Sequence, residues 1–199
     1  MENENEIIDI KVILLGEMGV GKSNLLNAAA DLRFDEISKS TVNSTYIEKR
    51  MKILNKEYIV KLWDTAGQEK YRALTKLFYQ DSKVVIFVYD ITNKNSFTEL
   101  NYWINEIKEA LGNEPILGIV GNKYDLTDMI EVDEKTAKEF AQEKGIELKL
   151  LSTKNEPKNF KKFLRKLVKD YLKKIGKLKE NEDDLVPKDD DNHGSCTIF

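Results

Sequence analysis

The sequence predicts a three-layer α/β fold: a six-stranded, mostly parallel sheet with one antiparallel strand, covered on both faces by about five helices. Three observations predict it. Apolar, β-branched runs alternate with stretches of helical period, the pattern of a parallel sheet built through helical crossovers. One pair of strands is separated by only a few residues around Asn55, which requires a hairpin and makes that strand antiparallel. There is no internal repeat and there are only three prolines, so nothing marks a second folded unit.

In chain order, strands are expected over Ile8–Leu15, Tyr46–Ile53, Tyr58–Asp64, Val84–Tyr89, Ile116–Asn122 and Glu147–Leu151. Leu54–Glu57 turns the second strand into the third. Helices are expected over Lys22–Ala30, Ser96–Leu111, Val132–Lys144 and Asn159–Ile175, with a shorter one near Thr75–Gln80. The last helix shows its buried face clearly. Phe160, Phe163, Leu164, Leu167, Val168, Tyr171, Leu172 and Ile175 recur at helical spacing, with lysines opposite them. Those lysines suit a solvated face, or a surface offered to a membrane or partner.

The 199 residues suffice for one core, and the expected division is a globular domain over 1–177 and a flexible acidic tail over 178–199. His193, the only histidine, falls in that tail, away from any expected catalytic element. With 32 basic and 35 acidic residues, the charge balance gives no reason to expect nucleic acid as a partner. No apolar stretch approaches the roughly 20 residues needed to span a bilayer. The acidic start MENENEIIDI lacks the order of a signal peptide. A single cysteine, Cys196, excludes a disulfide framework within the chain and suits a reducing compartment.

The first strand runs into GEMGVGKS, comprising Gly16, Glu17, Met18, Gly19, Val20, Gly21, Lys22 and Ser23, with Asn24 next in the helix that follows. This matches the phosphate-binding pattern G-x-x-x-x-G-K-[ST]. Its glycines let successive backbone N–H groups face phosphate oxygens, and the helix N-terminus favours negative charge. Lys22 is expected on the terminal phosphates, and the Ser23 hydroxyl on magnesium. By itself the motif says nucleoside triphosphate and no more, since kinases and ATPases share it.

The fifth strand ends in GNKYD, about 100 residues further on. Asp125 is placed to accept two hydrogen bonds from guanine, from the ring N–H and the exocyclic amine. Adenine offers neither there, and a site built on such bonds rejects a mismatched ligand by roughly 10⁴-fold or more. Asn122 would tie this loop to the phosphate loop, and the Lys123 stem would lie along the base. Ser152, Thr153 and Lys154, after the sixth strand, are placed to offer backbone N–H groups to the base carbonyl.

WDTAGQE, from Trp63 to Glu69, follows the third strand. Asp64 suits the carboxylate that holds magnesium through water, Gly67 an N–H for the γ-phosphate, and Gln68 the group that orients attacking water. Thr41 is the second candidate hydroxyl on magnesium. Lys22, Thr41 and Gln68 are thus the candidate catalytic residues, and Phe34 a cover for the guanine face. Loss of the γ-phosphate would release the loop around Gln68, making it a two-state element.

With these residues assembled, roughly residues 8 to 175 resemble a Ras-superfamily small GTPase, closest to the Rab family. The resemblance rests on DTAGQEKYRALT, on FVYDIT, and on NSF before a helix containing Trp103. It implies the small G-protein version of the P-loop NTPase fold and slow intrinsic GTP hydrolysis. It also implies a role in vesicle traffic at the cytoplasmic face of an intracellular or plasma membrane, in exchange with the cytosol. Exchange factors, GTPase-activating proteins, effectors, a prenyltransferase and a GDP-dissociation inhibitor are the implied partners of a monomeric chain. Tyr46, Trp63 and Phe78 match three aromatic residues that Rab proteins present to effectors; the other reading is that they fill the sheet–helix boundary.

The ending CTIF fits prenylation of Cys196, with the final phenylalanine favouring geranylgeranyl. Most Rab proteins end with two cysteines, and one lipid gives only marginal, reversible membrane binding. The lysines at 173, 174, 177 and 179 would favour anionic lipid, while Asp189–Asp191 would oppose it.

Two departures bear on the cycle. Met18 stands where Rab proteins usually carry a small residue and Ras proteins glycine. It either crowds Gln68 or an incoming arginine finger, or points to solvent and is tolerated. Ser38 stands where Rab proteins commonly have tyrosine, three residues before Thr41. The leading reading is therefore a hydrolysing switch. Its rivals are a GTP-loaded, lipid-anchored scaffold that hydrolyses slowly or not at all, another Ras-superfamily signalling GTPase, and, more remotely, a P-loop phosphotransferase.

Overall fold

The computed structural model describes residues 8–35, 45–54, 56–64, 78–179 and the backbone of 196–198. Strands β1 (Ile8–Leu15), β2 (Thr45–Ile53), β3 (Lys56–Asp64), β4 (Val84–Asp90), β5 (Ile116–Asn122), β6 (Glu147–Leu150) and β7 (Cys196–Ile198) form a seven-stranded sheet in the order β6-β5-β4-β1-β3-β2-β7. The pairs β1/β3, β1/β4, β4/β5 and β5/β6 are parallel, whereas β2 runs antiparallel to β3 and β7. The expected hairpin is present, with Ile53 opposite Lys56 and Leu54 at φ 52°, as a tight two-residue turn demands.

The helices are α1 (Lys22–Ala29), α2 (Lys94–Thr98), α3 (Leu100–Leu111), α4 (Glu134–Lys144) and α5 (Pro157–Lys174), with a 3₁₀ turn at Thr127–Met129. They lie on both faces of the sheet, so β4 is buried at every residue and reads as a continuous apolar run. One core lies under α1 and α5, centred on Ile10, Val12, Leu14, Leu25, Val60, Phe160 and Leu167. The other lies under α3 and α4, centred on Ile13, Phe87, Tyr89, Trp103, Ile107 and Ile119. Gly118 lets α5 approach β5 closely, because a Cβ there would meet the side chains of Leu167 and Phe163.

Four expectations change in detail. The helix expected over 96–111 is two, because Asn93 caps α2 through Ser96 N–H and a fresh start follows at Leu100. The helix expected from Val132 begins at Glu134, since the Asp133 side chain caps it at Thr136 N–H, 2.8 Å away. Ile175, expected on the buried face, is 40% exposed: α5 stops at Lys174, Gly176 turns the chain at φ 70°, and Leu178 packs into the core instead. Finally, β7 was expected as tail and is instead a short strand on the edge of β2, with Glu48 opposite Thr197. Among the described residues, no helix is long and apolar enough to cross a membrane.

Candidate functional site

Strand β1 delivers the chain to Gly16 at the carboxyl edge of the sheet, where ligands bind in open α/β folds. Gly16 has φ 151°, and a Cβ there would sit 2.1 Å from the Val88 carbonyl oxygen of β4. The loop therefore leaves the sheet by a path open only to glycine. Gly16→Ala is expected to lower unfolding free energy by about 2 kcal/mol. A urea unfolding midpoint equal to wild type would contradict that.

Met18 and Gly19 are exposed, Met18 at 54%, while Val20 is buried. Gly21, at φ 100°, begins α1 with no side-chain cap, leaving the helix N-terminus without a competing acceptor from that position. A Cβ on Gly21 would lie 2.3 Å from Asn122 Nδ2, so this glycine also makes room for the fifth-strand loop.

The Lys22 side chain is buried and folds over the loop, its Nζ donating to the carbonyls of Gly16 and Glu17 at 2.8 Å each. Burial lowers its pKa to about 8, against the attraction of Asp64 and Glu17. The Ser23 hydroxyl donates to Asp64 Oδ2 at 2.6 Å, bringing the end of β3 to the start of α1. A hydroxyl and a carboxylate converging here are hard oxygen ligands, the donor set magnesium takes beside phosphate. Among the described residues, no three His, Cys, Asp or Glu side chains cluster as a metal site.

Asn24 is fastened to the backbone of Asp35. Its Nδ2 donates to the Asp35 carbonyl at 3.0 Å and its Oδ1 accepts from the Asp35 N–H at 2.9 Å. That reciprocal pair fastens α1 to the chain leading away from Phe34. Phe34 itself is 38% exposed, and Lys154 Nζ lies 5.9 Å from its ring centroid.

The centre of the arrangement is Asn122, 3% exposed at the end of β5. Its Nδ2 donates to the Val20 carbonyl at 2.9 Å, and its Oδ1 accepts from Thr153 N–H at 3.2 Å and from Thr153 Oγ1 at 2.6 Å. One buried side chain thus joins the phosphate loop, the NKYD loop and the loop after β6. The Thr153 N–H, expected with those of Ser152 and Lys154 on a base carbonyl, donates to Asn122 here. Ser152 is buried, and its Oγ accepts from Asn155 N–H at 3.0 Å. Lys123 stands at φ 65°, with Leu126 N–H donating to its carbonyl at 2.9 Å to close the turn that carries the partly exposed Asp125. A residue absent from the sequence expectations enters here. Asp90, at the end of β4, ion-pairs with Lys123 Nζ at 2.6 Å.

Tyr46 and Trp63 stack with ring centroids 4.4 Å apart, and Phe78 lies 6.2 Å from Trp63. The three aromatic residues therefore form one half-buried cluster on β2, β3 and the segment before β4. Thr41, Gly67 and Gln68, like Ser38 and the rest of the helix expected from Thr75 up to residue 77, lie outside the described residues.

A sequence model of the Ras family matches residues 11–173. Ras-related protein Rab-21 of Geodia cydonium is 43% identical over 138 residues, 69% of this chain and 60% of that protein. Ras-related protein Rab-11C of Dictyostelium discoideum is 37% identical over 166 residues, 82% of this chain and 74% of its own length. Ras-related protein Rab-31 of Homo sapiens is 38% identical over 149 residues, 75% of this chain and 76% of its own.

Proposed function

This chain belongs to the Ras family of small GTPases, and from that premise we propose that it is a Rab-like switch which binds GTP and GDP with magnesium, hydrolyses GTP slowly, and regulates vesicle traffic. The observation carrying this reading is the Asn122 bridge, which holds a guanine-reading loop against a phosphate loop. A base held at Asp125 would then lie on the same side of the sheet as phosphates held at Lys22.

Bound phosphate would favour protonated Lys22 and draw its Nζ from the Gly16 and Glu17 carbonyls to the terminal oxygens. Backbone N–H groups of residues 19–24 supply further donors to the phosphates. Ser23 and Thr41 would hold magnesium directly and Asp64 through water; the cation would offset the negative charge of the phosphates. Gly67 would bond the γ-phosphate, and Gln68 would orient the attacking water. Phe34 and Lys154 would cover the base, and Lys123 would run along its edge.

The remaining assignments follow the family. A domain over 1–177 would carry the switch, and the segment after it would present Cys196 for prenylation once the β7 pairing with β2 is released. A single lipid would give reversible attachment to the cytoplasmic face of a membrane and cycling with cytosol. Exchange factors, GTPase-activating proteins, effectors reading Tyr46, Trp63 and Phe78, a prenyltransferase and a GDP-dissociation inhibitor are the partners of this reading.

Single-turnover hydrolysis of GTP by the purified chain, with and without a Rab-type GTPase-activating protein, tests it. Slow intrinsic turnover that accelerates with the activator is the expected result; failure to bind GTP more tightly than ATP would overturn the reading.

Met18 favours one second reading, a slowly hydrolysing scaffold. Its side chain is exposed, and an arginine finger brought to this loop would have to pass it. Met18→Gly is expected to keep GDP affinity and to raise activator-stimulated turnover about tenfold, since small misplacements of a catalytic group are costly. An unchanged stimulated rate would show that the methionine is tolerated.

A further inference from the structure

We propose that Asp90 is a positioning residue for nucleotide binding: by holding Lys123 it sets the turn that brings Asp125 to the base. This rests on the guanine reading of the NKYD loop given above.

The argument starts in the sheet. Asp90 is the last residue of β4 and lies directly opposite Asn122, the last residue of β5. Its carboxylate is only 9% exposed, and both oxygens have work. Oδ2 pairs with Lys123 Nζ at 2.6 Å, while Oδ1 accepts from Thr92 N–H at 2.9 Å and Thr92 Oγ1 at 2.8 Å. The Asp90 backbone is held in turn. Its N–H donates to Ser96 Oγ at 3.0 Å, and Ser96 is buried in the first turn of α2, where Asn93 caps its N–H. A rigid chain of contacts therefore runs from α2 through Asp90 to Lys123.

Lys123 needs such an anchor. It is a non-glycine residue at φ 65°, in the left-handed region that L-residues enter at a penalty. Its carbonyl accepts from Leu126 N–H and closes the turn containing Asp125. If the Lys123 side chain is released, the turn loses one of its constraints, while Tyr124 N–H still donates to the Leu151 carbonyl. The predicted defect is specific: weaker guanine binding and blurred reading of the exocyclic amine, with the phosphate loop intact.

Asp90→Asn separates these effects, because the amide keeps an oxygen for Thr92 and keeps the volume while losing the charge that pairs with Lys123. GDP dissociation is measured for wild type, Asp90→Asn, Lys123→Met and the double variant, together with the affinity ratio of GDP to IDP, which lacks the exocyclic amine. Asp90→Asn is expected to speed GDP release roughly tenfold, a modest figure because Lys123 remains one-third exposed and water screens the pair. The GDP/IDP ratio is expected to fall with it. In the Lys123→Met background the same substitution is expected to change release less than twofold, which a merely structural role for Asp90 would not produce. An equal effect in both backgrounds, or release within twofold of wild type in the first, overturns the proposal. If Asp90→Asn does not fold, Asp90→Glu is carried through the same cycle. A wild-type chain that binds no GDP would instead defeat the guanine reading, a separate outcome.

Discussion

Asp125→Asn is expected to weaken GDP binding about 10³-fold and to create tight binding of xanthosine diphosphate. In the proposed site the two Asp125 carboxylate oxygens would accept from the ring N–H and the amine of guanine. Asparagine replaces one of those acceptors by an NH₂ group, which then faces the amine donor to donor. Xanthine carries a carbonyl where guanine carries the amine, so the same NH₂ finds an acceptor. The affinity loss corresponds to about 4 kcal/mol, since each 1.4 kcal/mol is tenfold. Competition of GDP, xanthosine diphosphate and ATP against a fluorescent nucleotide checks it. A variant holding GDP within tenfold of wild type would mean that Asp125 does not read the base. Unfolding of the nucleotide-free chain should be unaffected, because Asp125 lies on a partly exposed turn.

Asn122→Ala is expected to do both kinds of damage. It removes the acceptor for Thr153 N–H and Oγ1 and the donor to the Val20 carbonyl, all in a buried setting. Buried polar groups left unpaired cost about 1–3 kcal/mol each, so a loss of about 4 kcal/mol in unfolding free energy is expected for the nucleotide-free protein. Release of GDP should accelerate about 100-fold, because the phosphate loop and the base loop no longer share a support. Urea unfolding and the GDP dissociation rate report the two effects independently. Normal stability with fast release would confine Asn122 to ligand contact; lost stability with normal release would confine it to the fold.

Strand β4 was legible to within a residue because burial on both faces leaves an uninterrupted apolar run, VVIFVYD. The α5 face was legible for the same kind of reason, a helical period carried by six buried residues from Phe160 to Leu172. Ile175 was misplaced because periodicity continues past a helix end, whereas the chain turned at Gly176 and gave the buried position to Leu178. The start of α4 was missed by two residues because Val132 fits the apolar period, although the Asp133 cap decides where the helix starts. Strand β7 has no signature of its own: three residues can extend an edge only because β2 offers one.

The family and the two loops proposed to hold nucleotide were legible in the sequence, because each motif depends on short spacings along one segment: glycines before a helix, or an amide and a carboxylate three residues apart. Tertiary structure alone decided which side chains support them. Asn122 reaches Val20 across 102 positions of sequence, Ser23 meets Asp64 across 41, and Asp90 meets Lys123 only because β4 and β5 end side by side. It also turned Asn24 toward Asp35 and Thr153 toward Asn122. The physical reason is the range of the two kinds of information. A motif needs only local backbone geometry, whereas a hydrogen bond between neighbouring strands exists only once the sheet has set their order and register.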